Sequence, residues 1–418
     1  MSDHEEDIKA DIFADMPVTP NGPVEDAGET ISAMEPIVLG EGAKGRGELT
    51  DLAIELAQKS AAFTASLPDG VRDSLADLVR NMNCYYSNLI EGHRTHPIEI
   101  ERAMAGEYSD VPEKRNLQLE ARAHVKVQSW IDAGGLTDGG LSAKSLREIH
   151  YRFCSEVPDE LLWVKNPETG EKHRVVPGEL RTRHVRVGQH IAISPGAVPR
   201  FLDRFESAYS GLGRTDAILS IAAAHHRFAW IHPFLDGNGR VARLLSHAML
   251  RDQLASEGLW SVSRGLARSV ASYKDHMAAC DMVRRDELDG RGNLSEEALV
   301  AMSDYFLRTC IDQVDFMKNL VRPEMLRNRI LSWSREQMQL GDLPANCDTI
   351  LEAMLYKGEL QRPEIAGLIG TGVRQARRIV SMLMEKGVLV SASAKSPLRL
   401  AFPARLADRW MPGLFPEA

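Results

Sequence analysis

At 418 residues the chain is too long for one ordinary core, so two or three domains are expected. Its 44% hydrophobic and 26% charged residues are the composition of a soluble globular protein, and no apolar run approaches the roughly 18 residues of a bilayer span. A formal net charge of −9 excludes a chain that coats nucleic acid along its whole length.

Much of that charge lies near the start, where Asp3, Glu5, Glu6, Asp7, Asp11 and Asp15 are barely opposed by Lys9. With Pro17, Pro20, Gly22 and Pro23 among them, residues 1–45 read as a mobile acidic tail. The first residues lack the basic stretch and apolar core of a secretory signal. The five cysteines are scattered without a CxxC pair, so a cytoplasmic chain with reduced thiols, and no membrane partner, is expected.

Helical periodicity runs from about Gly47 to Ile90, with Val71, Leu75, Leu78, Val79 and Met82 on one face. It closes on Ser87-Asn88-Leu89-Ile90-Glu91-Gly92, where Ser87 and Glu91 stand one turn apart and Gly92 suits a left-handed cap. A carboxylate at a helix C-terminus faces the negative end of the dipole and wants a cationic partner. Residues 46–112 are expected to form an N-terminal helical unit, and 113–340 a core with its associated helices. Within that core, 114–132 and 141–154 read as helices. Between Trp163 and Ser194 glycines and prolines break short β-prone runs, which predicts a hairpin flap with Val185 and Val187 alternating with basic residues.

Helix returns at 198–209 and 213–231. The chain then breaks at His232-Pro233-Phe234-Leu235-Asp236-Gly237-Asn238-Gly239-Arg240-Val241-Ala242-Arg243 and continues as a helix. Gly237, Asn238 and Gly239 precede that helix, so unsatisfied N–H groups and the dipole make an anion site. Arg240 and Arg243, one turn apart, reach one phosphate chain. Asp236 offers the hard oxygen that Mg²⁺ prefers, and the imidazole of His232 takes a proton near neutral pH. Base, metal ligand, anion nest and two arginines together point to phosphoryl or nucleotidyl transfer.

These residues satisfy every specified position of HxFx(D/E)GNGRxxR, and the chain thereby resembles the Fic family from about Cys84 to Pro403. The resemblance implies a mainly α fold: a Fic helical core with a small β-hairpin flap. It also implies a protein adenylyltransferase that moves AMP from ATP to a hydroxyl side chain of a target protein. His232 would be the base and Asp236 the Mg²⁺ ligand. The stretch Gly237, Asn238, Gly239, Arg240, Val241, Ala242 and Arg243 would bind ATP, Arg240 at the β-phosphate and Arg243 at the γ-phosphate. Phe234 would anchor the loop. Ser87 and Glu91 match the (S/T)xxxE(G/N) inhibitory motif of relatives, in which the glutamate pairs with the second arginine, here Arg243. Tyr273 matches a position lining the nucleotide site, and Val185 and Val187 a flap that pairs with the target. AMP removal, or transfer of another phosphate-bearing group, remains an alternative outcome at the same residues.

His225 and His226 point about 100° apart on a helix and do not suggest a zinc site with His232. Gly290-Arg291-Gly292-Asn293 reads as a turn before a helix. Long helical patterns are expected at 266–283 and 295–338. After Pro344, helices at 346–357, 362–369 and 372–386 precede β-prone runs at 388–390 and 398–400, so 341–418 reads as a winged helix-turn-helix. Arg374, Arg377 and Arg378 on its third helix make DNA a candidate partner, and a second copy of the chain is another.

Overall fold

The computed structural model describes residues 24–166, 169–254 and 256–415. Helices dominate, as the periodicity predicts. The N-terminal pair is α1 (Arg46–Ala65) and α2 (Asp69–Ile90), followed by α3 (Pro97–Met104), α4 (Pro112–Asp132) and α5 (Ala143–Glu156). Helix α3 was not foreseen, although Pro97 at its first turn and the His96 side chain accepting from the Ile98 N–H are ordinary start signals.

Two small antiparallel hairpins interrupt the helices: β1 (Trp163–Lys165) with β2 (Lys172–Arg174), and β3 (Arg186–Val187) with β4 (His190–Ile191). The centre of the molecule is α6 (Val198–Tyr209), α7 (Arg214–Ile231) and α8 (Asn238–Leu254). Helix α7 is buried on nearly all sides, from Ala217 through Ile231, because α1, α6, α8 and a later helix all pack against it. That enclosure fixes the direction in which its C-terminus delivers His232.

The two long helical patterns that follow are each divided. The first gives α9 (Val262–Arg268) and α10 (Val270–Cys280), broken at Ser269. The second gives α11 (Glu296–Leu320) and α12 (Pro323–Gln339), because Pro323 has no N–H for a continuing helix. The glycine-rich stretch before α11 is a bend, after which Leu294 N–H donates to Glu35 O and Ser295 Oγ caps α11 by accepting from Ala298 N–H.

The C-terminal elements are α13 (Cys347–Lys357), β5 (Glu359–Leu360), α14 (Glu364–Leu368), α15 (Val373–Glu385), β6 (Leu389–Val390), β7 (Leu398–Leu400) and α16 (Ala407–Trp410). The expected hairpin is β6 with β7, and the unforeseen β5 adds to the other edge of β7. This region shares one continuous apolar core with the rest of the described chain. Its end lies against α2: Tyr86 Oη donates to Leu414 O at 2.8 Å, and the Phe415 ring meets Tyr85 edge-on at 5.5 Å.

The expected acidic tail needs correction. Residues 1–23 lie outside the described residues, but residues 24–45 pack onto the body, because Met34, Ile37 and Leu39 within them are apolar enough to bury. Their acidic side chains find partners on the flap side of the core: Asp26 pairs with Arg200, and Glu29 accepts from Ser194 N–H at 2.7 Å and from Ser194 Oγ–H at 2.6 Å.

Candidate active site

His232 is the C-cap of α7 and adopts a left-handed backbone (φ 49°), uncommon for a residue with a side chain. Such a conformation persists only where the surroundings impose it, and Arg181 supplies the constraint. From the segment leading into the flap, its Nε donates to His232 O at 2.7 Å and its Nη2 to Ile193 O at 2.5 Å, while its own N–H donates to Pro233 O. One buried guanidinium thus ties the flap base to the motif loop. The half-buried imidazole of His232 directs Nδ1 to Ala229 O at 3.2 Å. Nδ1 must carry the proton to donate to a carbonyl, which leaves Nε2 as a lone-pair acceptor, the form a general base requires. Burial first, and then the charge of Arg181, hold its pKa well below the ordinary 6.5.

The loop between α7 and α8 is closed internally. Asn238 Oδ1 accepts from Phe234 N–H at 3.0 Å, and Asn238 Nδ2–H donates to Phe234 O at 2.8 Å. The Asn238 side chain therefore braces the loop, leaving only its backbone to face an anion. Phe234 is fully buried and stacks on the His150 ring, with centroids 3.9 Å apart. His150, which the sequence did not single out, accepts from Gly178 N–H through Nδ1 and reaches Asp236 O through Nε2 at 3.2 Å. Gly237 (φ 81°) runs against that ring, where a Cβ would sit 3.4 Å from His150 Cδ2. Asp236 is exposed at the rim, its Oδ1 accepting from Gly237 N–H.

Glu91 is brought to the same place from the end of α2. Gly92 (φ 81°) reverses the chain there, and His93 N–H donates to Asn88 O at 2.9 Å, closing a Schellman-type cap. The carboxylate lies over the start of α8: Arg243 Nη2 donates to Glu91 Oε1 at 2.5 Å, and a Cβ at Gly239 would collide with the same oxygen. Arg243 is held again by Ser87, whose Oγ accepts from Nε at 2.8 Å. Burial opposes ionisation of Glu91, yet Arg243 and then Arg240 keep its pKa well below the usual carboxylate value. Arg240 is engaged differently, by Glu120 of α4, with His93 alongside.

Tyr273 stands behind this cluster. Ser246 donates to Ala242 O, so it must accept from His225 Nδ1–H, and His225 Nε2 in turn accepts from Tyr273 Oη–H at 2.7 Å. Tyr273 is nearly fully buried in that chain, which orders the back of α8. His225 is a core residue. At the flap, Val185 packs in the core, whereas Val187 and Ile191 are exposed, Ile191 at 68%. The expectation that Val185 offers its side chain to a target is therefore corrected: the two-residue strand β3 begins after it, and the flap's apolar tip is Val187 with Ile191.

Residues 140–250 match the family model described as the Fic/DOC family, a span that contains the whole motif, the flap, α5 to α7 and most of α8. Over that span the chain is similar to the Fic/DOC family. A stretch of 160 residues is 39% identical to the protein adenylyltransferase Fic of Drosophila erecta, covering 38% of this chain and 31% of that protein. Over 170 residues it is 29% identical to the protein of the same name from Nematostella vectensis, covering 40% and 36%. The chain thus spans about a third of the length of the curated relatives it matches. The fold is similar to the crystal structure of a Fic family protein from Desulfovibrio desulfuricans G20, with a TM-score of 0.50 and 16% identity over 84% of this chain and 95% of that one. Among the described residues, no helix is long and apolar enough to cross a membrane.

Proposed function

We propose that this chain is a protein adenylyltransferase whose Fic site is braked by Glu91. The observation that carries the reading is the Glu91–Arg243 pair lying across the start of α8, on a motif loop that presents an unprotonated His232 Nε2. A target hydroxyl gives its proton to Nε2 and attacks the α-phosphate of ATP. The new O–P bond forms as the bond to the β-phosphate bridging oxygen breaks, and pyrophosphate departs. Backbone N–H groups at Asn238 and Gly239 receive phosphate oxygens, joined by that of Gly237 when Asp236 Oδ1 releases it, with Arg240 and Arg243 supplying charge-assisted hydrogen bonds. Glu91 competes for Arg243, which would otherwise meet the γ-phosphate. Tyr273 and the His225 chain hold α8 in place.

Asp236 fits a magnesium role, because Mg²⁺ is commonly held by one or two carboxylates together with substrate phosphates, and this carboxylate is exposed beside the anion nest. The ion, when bound, would neutralise charge developing on the phosphates. No group of three or more His, Cys, Asp or Glu side chains among the described residues forms a cage without nucleotide.

The flap gives the target its place. Val187 and Ile191 expose apolar side chains at a short hairpin edge, a surface suited to pairing with an extended segment of another protein. A cytoplasmic location and a target modified at serine, threonine or tyrosine belong to the same reading.

Incubating wild-type and Glu91→Gly protein with α-labelled or γ-labelled ATP tests it. Label retained on protein only from the α position is expected, and far more with Glu91→Gly. Retention of γ label would instead show phosphoryl transfer, and loss of AMP from pre-modified protein would show removal. A second reading concerns the C-terminal region, where Arg374, Arg377 and Arg378 are all exposed on α15. These side chains suit the phosphates of DNA, and replacing all three with glutamine should abolish duplex binding by the full chain if that reading holds.

A further inference from the structure

Helix α4 carries Glu120, His124, Gln128 and Asp132 at successive four-residue intervals, so all four lie on one face. That face is turned inward against α2 and α8. Its two acidic members each face an arginine and a histidine. Asp132 receives Arg80 Nε at 2.7 Å and His247 Nε2 at 2.7 Å. Glu120, whose side chain is 3% exposed, takes Arg240 Nη2 on Oε1 and faces His93 Nδ1 at 2.7 Å on Oε2. His93 Nδ1 also lies 3.0 Å from Arg240 Nη2; a carboxylate only accepts and a guanidinium only donates, so Nδ1 can serve one of the two, and Glu120 Oε2 is the shorter contact.

Arg240 has five N–H donors in a rigid fork. Glu120 uses Nη2, the Phe153 ring lies 5.5 Å beneath the guanidinium, and Nε is buried without a hydrogen-bond partner. One edge of the fork is thus fixed from behind while donors remain unspent, and the side chain is only 8% exposed. Arg243 differs: its Nε and Nη2 are both committed to Ser87 and Glu91. The contrast assigns different jobs to the two carboxylates. Glu91, at the rim, blocks an arginine; Glu120, in the interior, aims one.

We propose that Glu120, held by His93, is the positioning residue that orients Arg240 toward the polyphosphate of ATP. The inference rests on the adenylyltransferase reading and adds a residue outside the Fic motif to its phosphate recognition. His93 lies two residues beyond Glu91, so the same loop that carries the brake also steadies the arginine needed when the brake is off.

The test uses the full chain with Glu91→Gly and His232→Asn, which opens the site, prevents turnover and tolerates the left-handed backbone, titrated calorimetrically with ATP and with adenosine. Adding Glu120→Gln should weaken ATP binding about 10- to 100-fold, the size of effect expected when a hydrogen bond to a charged group is lost. Adenosine, lacking phosphates, should bind the parent and the Glu120→Gln protein alike, which a general loss of structure would not allow. Glu120→Asp keeps the charge but draws Arg240 back, and should give the same selective loss in smaller degree, so the proposal stays testable if Glu120→Gln does not fold. Unchanged or tighter ATP binding by Glu120→Gln and Glu120→Asp would overturn the inference, the tighter result marking Glu120 as a second brake. Failure of the parent itself to bind ATP would overturn the nucleotide reading along with it.

Discussion

Glu91 and Arg243 are 152 residues apart in the chain and 2.5 Å apart in space. One ends α2 and the other lies in the second turn of α8, so the contact proposed as the brake is made by docking the N-terminal helices onto α8. Ser87, one turn before Glu91, accepts from the same guanidinium and gives the contact two points of attachment.

Removing one partner should therefore release the site. Glu91→Gly is expected to raise AMP transfer at saturating ATP by about 10- to 100-fold, the range of a coupling of 1–3 kcal/mol. Ser87→Ala should raise it by less, since Glu91 still holds Nη2. Steady-state transfer from α-labelled ATP measures both, and equal activity of Glu91→Gly and wild type would remove the brake from the account.

His232→Ala should lower transfer in the Glu91→Gly background by about 10²–10⁴, the contribution of a positioned general base. Alanine also bears the left-handed backbone poorly, so His232→Asn is the better control, because asparagine tolerates positive φ. The two variants should be equally inactive, with His232→Asn melting closer to the parent. Calorimetric melting curves taken beside the activity assay distinguish lost chemistry from lost fold.

The pH dependence has a definite sign. His232 is useful only when neutral, and a pKa held below 6.5 by burial and Arg181 keeps it neutral as pH falls through the ordinary histidine range. The acid limb of kcat/KM for ATP should thus lie below pH 6.5. The negative charge of Glu91 acts in the raising direction, so Glu91→Gly should not move the limb upward. A limb at or above 6.5 in the pH profile would show that another group controls the rate.

Gln128 tests the buried face of α4. Its amide oxygen and nitrogen are both buried without a hydrogen-bond partner, as are both ring nitrogens of His124 one turn away. An unsatisfied buried polar group costs about 1–3 kcal/mol, and an apolar group of similar shape avoids that cost. Gln128→Met should therefore leave the melting temperature unchanged or raise it, and should not alter ATP affinity. A fall of several degrees would show that this amide has a partner in solution.

The two levels of information divide along the range of the interactions. Helix positions were legible, because apolar spacing on α2, α7 and α8 is a local property. Positions at which a long helical pattern is cut, as at Ser269 and before Pro323, were harder to see, because the apolar spacing continues across each break. Residues 24–45 were misread because three apolar side chains in an acidic stretch reveal their burial only when α6, α7 and the turn before α11 surround them. Val185 and Val187 alternate in sequence, but only the packing shows that one faces the core and the other solvent.

The chemistry of the motif needed no tertiary structure. His232, Asp236, the glycines and both arginines are set within twelve residues by one turn between two helices, so their types and spacing already describe an anion site with a base beside it. The pairing of Glu91 with Arg243 was implied by the resemblance of its motif, and the other contacts on that site from elsewhere were decided by folding. Arg181 clamps His232, His150 supports Phe234 and Glu120 holds Arg240, each across 51 residues or more of chain. Such partners leave no periodic trace, because a buried ion pair depends on where two helices meet and not on the local sequence of either.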